Sequence, residues 1–181
     1  MIRIVGGKYR SRQLHLPPLD TVRPTQDRIR EAVFSALGGY LSGTGLDLFA
    51  GSGAYGFEGL SRGLSSVVFV DKDHRCIQAI NESANALNCS SLTRLLNLDY
   101  QVALDKLEKE NAVFDYVFLD PPYAKEINKD IIIRVEAHLL KANGIVIAEQ
   151  EEDLAEIPGF NLKRYQYSYK KVGIYRKEEG K

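Results

Sequence analysis

Apolar and polar positions change rhythm twice along this chain. Residues 2–5 and 13–16 are short β-like runs on either side of Gly6-Gly7-Lys8-Tyr9-Arg10-Ser11-Arg12, which predicts a basic hairpin ended by Pro17-Pro18. After Pro24, Thr25 opens a helical pattern with Ile29, Val33, Ala36 and Leu37 on one face, stopped by Gly38-Gly39. From Gly45 the rhythm becomes strand, turn, helix, repeated. The expected strands are 46–49, 67–70, 93–96, 116–119 and 145–148. The expected helices include 73–88, where Ile77, Ile80, Ala84 and Leu87 keep helical spacing, and 126–140. Such alternation predicts an α/β fold, a mostly parallel sheet with helices on both faces. Beyond Pro158-Gly159, residues 161–169 and 172–176 read as two strands with no helix between them, an antiparallel hairpin finishing the sheet. The chain is thus expected to carry an N-terminal hairpin-and-helix extension, 1–40, packed on a main domain, 41–181.

Composition adds little until charge is mapped. A chain of 181 residues, 44% hydrophobic and 27% charged, has the make-up of an ordinary folded domain. Its longest apolar runs, such as 66–70 and 145–148, are too short to cross a bilayer, and Met1–Lys8 has no secretory pattern, so a cytoplasmic protein is expected. Cys76 and Cys89 read as two free thiols of a reducing compartment. The formal net charge is zero, but residues 1–30 and 161–181 each hold seven Lys/Arg against two Asp/Glu, while 31–160 hold ten against twenty. Two cationic ends around an acidic middle are compatible with a polyanion-binding surface.

Four acids fall in register with the strands. Asp47 lies in the first α/β strand, and Asp71, Asp99 and Asp120 follow the next three, at separations of 24, 28 and 21 residues. Carboxyl ends of parallel strands share one sheet edge, so these side chains can converge on one crevice. The first crossover reads Asp47-Leu48-Phe49-Ala50-Gly51-Ser52-Gly53-Ala54-Tyr55-Gly56. Its glycines permit a tight turn and close approach to a ligand, and the helix that follows offers free N–H groups. Gly51, Gly53 and Gly56 match dinucleotide spacing, with Asp71 twenty residues after Gly51, so the loop alone fits NAD or S-adenosylmethionine. Asp47 can face an ammonium group, Asp71 ribose hydroxyls and Asp99 an adenine amino group, and few residues remain for a second nucleotide-binding half. These features favour the methyl donor.

Asp120-Pro121-Pro122-Tyr123 follows directly on the expected strand. Two prolines stiffen the chain there, so the Asp120 carboxylate and the Pro121 carbonyl can act as fixed acceptors for an exocyclic amine, with Tyr123 available to stack on an extruded base. Such an amine is a poor nucleophile while its lone pair is delocalised into the ring. Acceptors that hold its hydrogens redirect the lone pair toward a sulfonium methyl, and catalysis is then orientation and electrostatics.

Asp47–Gly56, Asp71, Asp99 and Asp120–Tyr123 resemble the motifs of class I S-adenosylmethionine-dependent methyltransferases acting on exocyclic amines. Ile4-Val5-Gly6-Gly7-Lys8-Tyr9-Arg10, Arg23-Pro24-Thr25, Arg30-Glu31-Ala32 and Asp47–Gly53 narrow the resemblance to the RsmD family, from residue 2 to about residue 150. That resemblance implies a Rossmann-like seven-stranded sheet and methyl transfer to a guanine N2 of bacterial 16S rRNA (position-966 type), with S-adenosylhomocysteine as product and no metal. The implied cofactor set is Asp47, Phe49, Ala50, Gly51, Ser52, Gly53, Asp71, Lys72, Asp99 and Tyr100, and the implied catalytic set Asp120, Pro121, Pro122 and Tyr123. The implied partner is 16S rRNA within a small ribosomal subunit or its assembly intermediate. The C-terminal segment Tyr169–Tyr175 departs from the family pattern, which has Tyr-Gly and a small polar residue there, so the target nucleotide stays open.

Lys8, Arg10, Arg12 and Arg23, with Tyr9 as a stacking candidate and Thr25 beside them, form the expected RNA-binding set; phosphate contacts would set position, not sequence. Arg28 and Arg30 can equally pair with Asp27 or Glu31. Lys163, Arg164, Lys170 and Lys171 read as edge-strand solubilisers. His15, His74 and His138 share no metal-ligand spacing. The rival readings are a DNA amino-methyltransferase (adenine N6 or cytosine N4), for which no target-recognition domain is visible, a non-catalytic RNA-binding assembly factor, and a nicotinamide oxidoreductase.

Overall fold

The computed structural model of the chain describes residues 1–18, 25–121, 127–167 and 169–178. After the N-terminal segment come α1 (Thr25–Ala36), β1 (Thr44–Asp47), α2 (Ala54–Ser61), β2 (Ser66–Val70), α3 (His74–Ala86), β3 (Thr93–Leu96), α4 (Tyr100–Lys109), β4 (Phe114–Leu119), α5 (Ile127–His138), β5 (Leu140–Gln150), β6 (Phe160–Tyr167) and β7 (Lys170–Lys177). The seven strands form one sheet in the order β3-β2-β1-β4-β5-β7-β6. The first five run parallel, and β7 pairs antiparallel with both β5 and β6. Strand order reverses between β1 and β4, the place where a crevice opens at the carboxyl ends of such a sheet. Among the described residues no helix is long and apolar enough to span a membrane.

Two apolar clusters sandwich the sheet. Phe34, Phe57 and Ile80 pack one face together with Ile2, Ile4, Tyr9 and Leu14 of the N-terminal segment. Leu104, Leu107, Ile132 and Val135 pack the other. The extension therefore shares a core with the sheet.

Three expectations change. Residues 2–5 and 13–16 form a single antiparallel bridge, Arg3 to Gln13, flanked by turns, because the segment pairs with α2 as much as with itself. Lys8 N–H donates to Ser61 O at 2.7 Å and Tyr9 N–H to Ser61 Oγ at 2.8 Å. The first strand ends at Asp47, since the chain then turns toward Gly51 at φ 54°. The fifth starts at Leu140 and irregularly joins the edge of β4 across a register shift between Phe114 and Tyr116.

A buried charge group fastens the extension. Glu58 is fully buried on α2 and accepts from Val5 N–H at 2.8 Å and Arg62 Nε at 2.6 Å. Arg30, 2% exposed, lies 3.6 Å from Glu58 and donates to Asp27 at 2.8 Å and to Arg3 O at 2.6 Å. Arg30 is thus a packed charge, not a solvated one. Removing one partner of such a group strands the others without water. Glu58→Gln is expected to cost about 3 kcal/mol in urea unfolding, and an unfolding midpoint equal to that of the parent would contradict this account.

Candidate active site

A cavity of about 450 Å³ opens at the carboxyl ends of β1, β2 and β4. Asp47, the last residue of β1, lies on its wall, 4% exposed, and accepts from Gly56 N–H at 2.9 Å. Burial pushes this carboxyl up to about 7, Asp71 adds repulsion, and the Gly56 N–H pulls the other way. Asp71 stands just after β2. Its Oδ2 accepts from Gly51 N–H and its Oδ1 from Asp73 N–H, each at 2.8 Å, so one carboxylate ties the glycine loop to the start of α3.

The loop itself is shaped for close approach. Gly51 adopts φ 54°, and a Cβ there would meet nothing within 4 Å, because that side faces open space. Gly53 is set back from the wall; a Cβ on it would press within 2.9 Å of the Phe57 ring, so its requirement is packing. Ala50, Ser52 and Lys72 line the cavity as expected. Phe49 and Tyr100 form an apolar side, their ring centroids 5.2 Å apart. Asp99 also lines it while capping α4, accepting from Gln101 N–H at 2.9 Å.

Asp120 and Pro121 enter the same cavity from the end of β4. Pro122, Tyr123 and Arg23 lie outside the described residues. Glu149, at the end of β5, is 3% exposed and accepts the Tyr55 hydroxyl at 3.0 Å. Lys170 Nζ donates to Glu149 and lies 3.6 Å from Asp120 Oδ1. Burial and the neighbouring Glu149 push the pKa of the Asp120 carboxyl well above the usual carboxylate range, against the pull of Lys170.

Sequence reasoning missed Glu149, Tyr55 and Lys170. Glu149 had a signal, since it stands one further strand–helix interval after Asp120 in the same series of acids. Lys170 corrects an expectation: it is no edge-strand solubiliser but a half-buried partner of two site carboxylates. Cys76 also reaches the wall, and burial pushes its thiol up to about 12, leaving it unreactive.

The basic N-terminal set divides. Lys8 and Arg10 are exposed. Arg12 donates to Ala86 O at 2.8 Å, at the end of α3. Thr25 opens α1. Tyr9 does not offer a stacking face, because the residue is only 8% exposed and belongs to the core beneath Lys8.

The family model described as Conserved hypothetical protein 95 matches residues 2–176. The chain belongs to that family. It is the RsmD family to which the N-terminal signatures point. Among similar proteins, YlbH of Bacillus subtilis is 33% identical over 182 residues, 97% of this chain and 99% of its own. The Ribosomal RNA small subunit methyltransferase D of Haemophilus influenzae is 36% identical over 84% of this chain and 80% of its own. The solved structure of yhhF from Escherichia coli covers 99% of both chains with a TM-score of 0.84 at 28% identity. The class I methyltransferase fold of this RsmD-family chain follows.

The wall fits S-adenosylmethionine on its own chemistry. The open side of Gly51 would give room, Asp71 would offer acceptors for hydroxyls, Phe49 and Tyr100 would supply apolar contact for a planar ring, and Asp47 and Asp99 would supply further acceptors. Asp47 also sets a pH dependence. The unfolded chain releases its proton near 3.8 and the folded chain near 7, so the stability of the neutral form is complete below about pH 4 and is lost as pH rises to about 7. Three units correspond to at most about 4 kcal/mol. Asp47→Asn stays neutral and is expected to melt above the parent at pH 8 and with it near pH 4, while S-adenosylhomocysteine binding by calorimetry weakens. Identical melting at both pH values would contradict this.

Proposed function

We propose that this chain transfers the methyl group of S-adenosylmethionine to the N2 amino group of a guanine in 16S rRNA. The observation carrying this reading is that Asp120 and Pro121 open into the same cavity as the Gly51 loop and Asp71. Acceptors for an amine thus stand beside a nucleoside-shaped wall. When bound, the cofactor supplies an electrophilic methyl on a sulfonium. The chain's own residues do the rest. The Asp120 carboxylate accepts an N–H of the amine, and the Pro121 carbonyl serves as the second acceptor on a stiff corner. Holding those hydrogens turns the nitrogen lone pair out of the ring and along the line of displacement. Formation of the N–C bond would be matched by loss of the S–C bond, and Asp120 would pass the amine proton to solvent. Exposed Lys8 and Arg10 would meet phosphates flanking the target. The name of the Haemophilus influenzae relative supports small-subunit rRNA as the substrate class.

Taking up the amine proton needs an ionised carboxylate. Because Asp120 holds its proton above the ordinary carboxylate range, transfer is expected to rise with pH along an acidic limb displaced upward. Labelled methyl transfer to small subunits, naked 16S rRNA and duplex DNA, followed by mass mapping of the modified bases, tests the reading. We expect N2-methylguanine in the rRNA, and Asp120→Asn is expected to lose roughly 10³-fold in rate with S-adenosylhomocysteine affinity retained. Methylation of DNA alone, or rRNA without N2-methylguanine, would overturn the assignment.

A further inference from the structure

Lys170 opens β7 where the C-terminal hairpin meets the cavity. Its side chain is 16% exposed, its Nζ is hydrogen-bonded to Glu149 Oε1, and the same nitrogen lies 3.6 Å from Asp120 Oδ1. The other Glu149 oxygen accepts the Tyr55 hydroxyl at 3.0 Å, so α2, β5 and β7 converge on one pair of carboxylates. Around Asp120 the charges are mostly of its own sign: Glu149 from β5 and Asp47 from β1. The Tyr55 hydroxyl is turned to Glu149, and the Arg30 guanidinium of α1 is engaged with Asp27 and Glu58. Among the described residues, Lys170 is the cation that contacts Asp120.

We propose that Lys170 is a positioning residue whose ammonium, anchored on Glu149, keeps the Asp120 carboxylate charged and turned toward the substrate amine. The proposal rests on the reading of Asp120 as the amine's acceptor. An ammonium suits the task because three N–H donors on a compact charge can serve two carboxylates at once. Glu149 is then the fixed post, itself held by Tyr55. At 3.6 Å the ion pair leaves Asp120 lone pairs available to a substrate N–H, which a closer direct bond would occupy. The C-terminal hairpin, which departs from the expected family pattern, in this way supplies part of the catalytic corner.

Carbon-13 NMR of aspartate-labelled, cofactor-free full-length chain reads the Asp120 carboxyl directly, with Asp120→Asn assigning the signal. Lys170→Met is expected to raise its titration midpoint by about one pH unit or more, and Lys170→Arg to keep it near that of the parent. The acidic limb of methyl transfer to rRNA should move by the same interval. The Lys170→Met rate should therefore fall about tenfold near pH 6.5 and largely recover near pH 8.5, with S-adenosylhomocysteine affinity unchanged. A midpoint that ignores Lys170→Met, or a rate loss equal at every pH, would leave Lys170 a purely structural residue and overturn the proposal. An Asp120→Asn enzyme as active as the parent would instead overturn the reading of Asp120, and the role of Lys170 with it, even where the NMR midpoint follows Lys170.

Discussion

Carboxylates crowd one edge of a parallel sheet here, and their mutual repulsion has to be met locally. Each parallel strand delivers its carboxyl end to the same edge, so Asp47, Asp71, Asp120 and Glu149 arrive around a single cavity. Burial and like charge both disfavour that gathering. Every one of the four has a compensating group: Gly56 N–H for Asp47, Gly51 and Asp73 N–H for Asp71, Lys170 for Asp120, and Lys170 with Tyr55 for Glu149. Those compensations shape the glycine loop, the first turn of α2 and the placing of the C-terminal hairpin. The edge is therefore built around its acids.

The N-terminal segment solves a different problem with the same means. Its two glycines, Gly6 and Gly7, serve packing. A Cβ on Gly7 would stand 2.0 Å from Ser61 O, and one on Gly6 2.3 Å from the Arg62 guanidinium. The segment lies flat on α2, with Ile2, Ile4, Tyr9 and Leu14 inward and Lys8 and Arg10 outward. One stretch of chain thus closes the core and presents cations to solvent. A substitution that loosens its underside would also displace its outer charges.

The periodic part of the molecule was legible. The expected strand 67–70 misses one residue of β2, whose apolar run suits a strand inside a parallel sheet, and 93–96 coincides with β3, an edge strand reading Thr-Arg-Leu-Leu that is only partly buried. The acids were legible as a spacing, which made one cavity wall readable from Asp47, Asp71, Asp99 and Asp120. What failed depended on partners. A tyrosine between a lysine and an arginine suits a stacking face or a core equally, and only the fit of Tyr9 into the apolar cluster decides. Lys170 was misread because the final hairpin does not add its strands in chain order. β7 inserts between β5 and β6, and that inversion carries Lys170 to Glu149. Arg30 was ambiguous for the same reason, its partner Glu58 lying on another helix.

The proposed chemistry consequently cannot be ascribed to Asp120-Pro121 as an isolated motif. A carboxyl on a rigid turn after a strand can take up the amine proton only while it is ionised, and its own surroundings favour the neutral form. The cation that opposes them belongs to β7, some fifty residues further along the chain. On the opposite side, Leu16 and Pro17 of the N-terminal segment complete the cavity wall. Residues from near both ends of the chain, Leu16-Pro17 and Lys170, thus meet at the carboxyl edge of the sheet. The corner is thus assembled from β4, β5 and β7 together, and its ionisation is a property of that assembly.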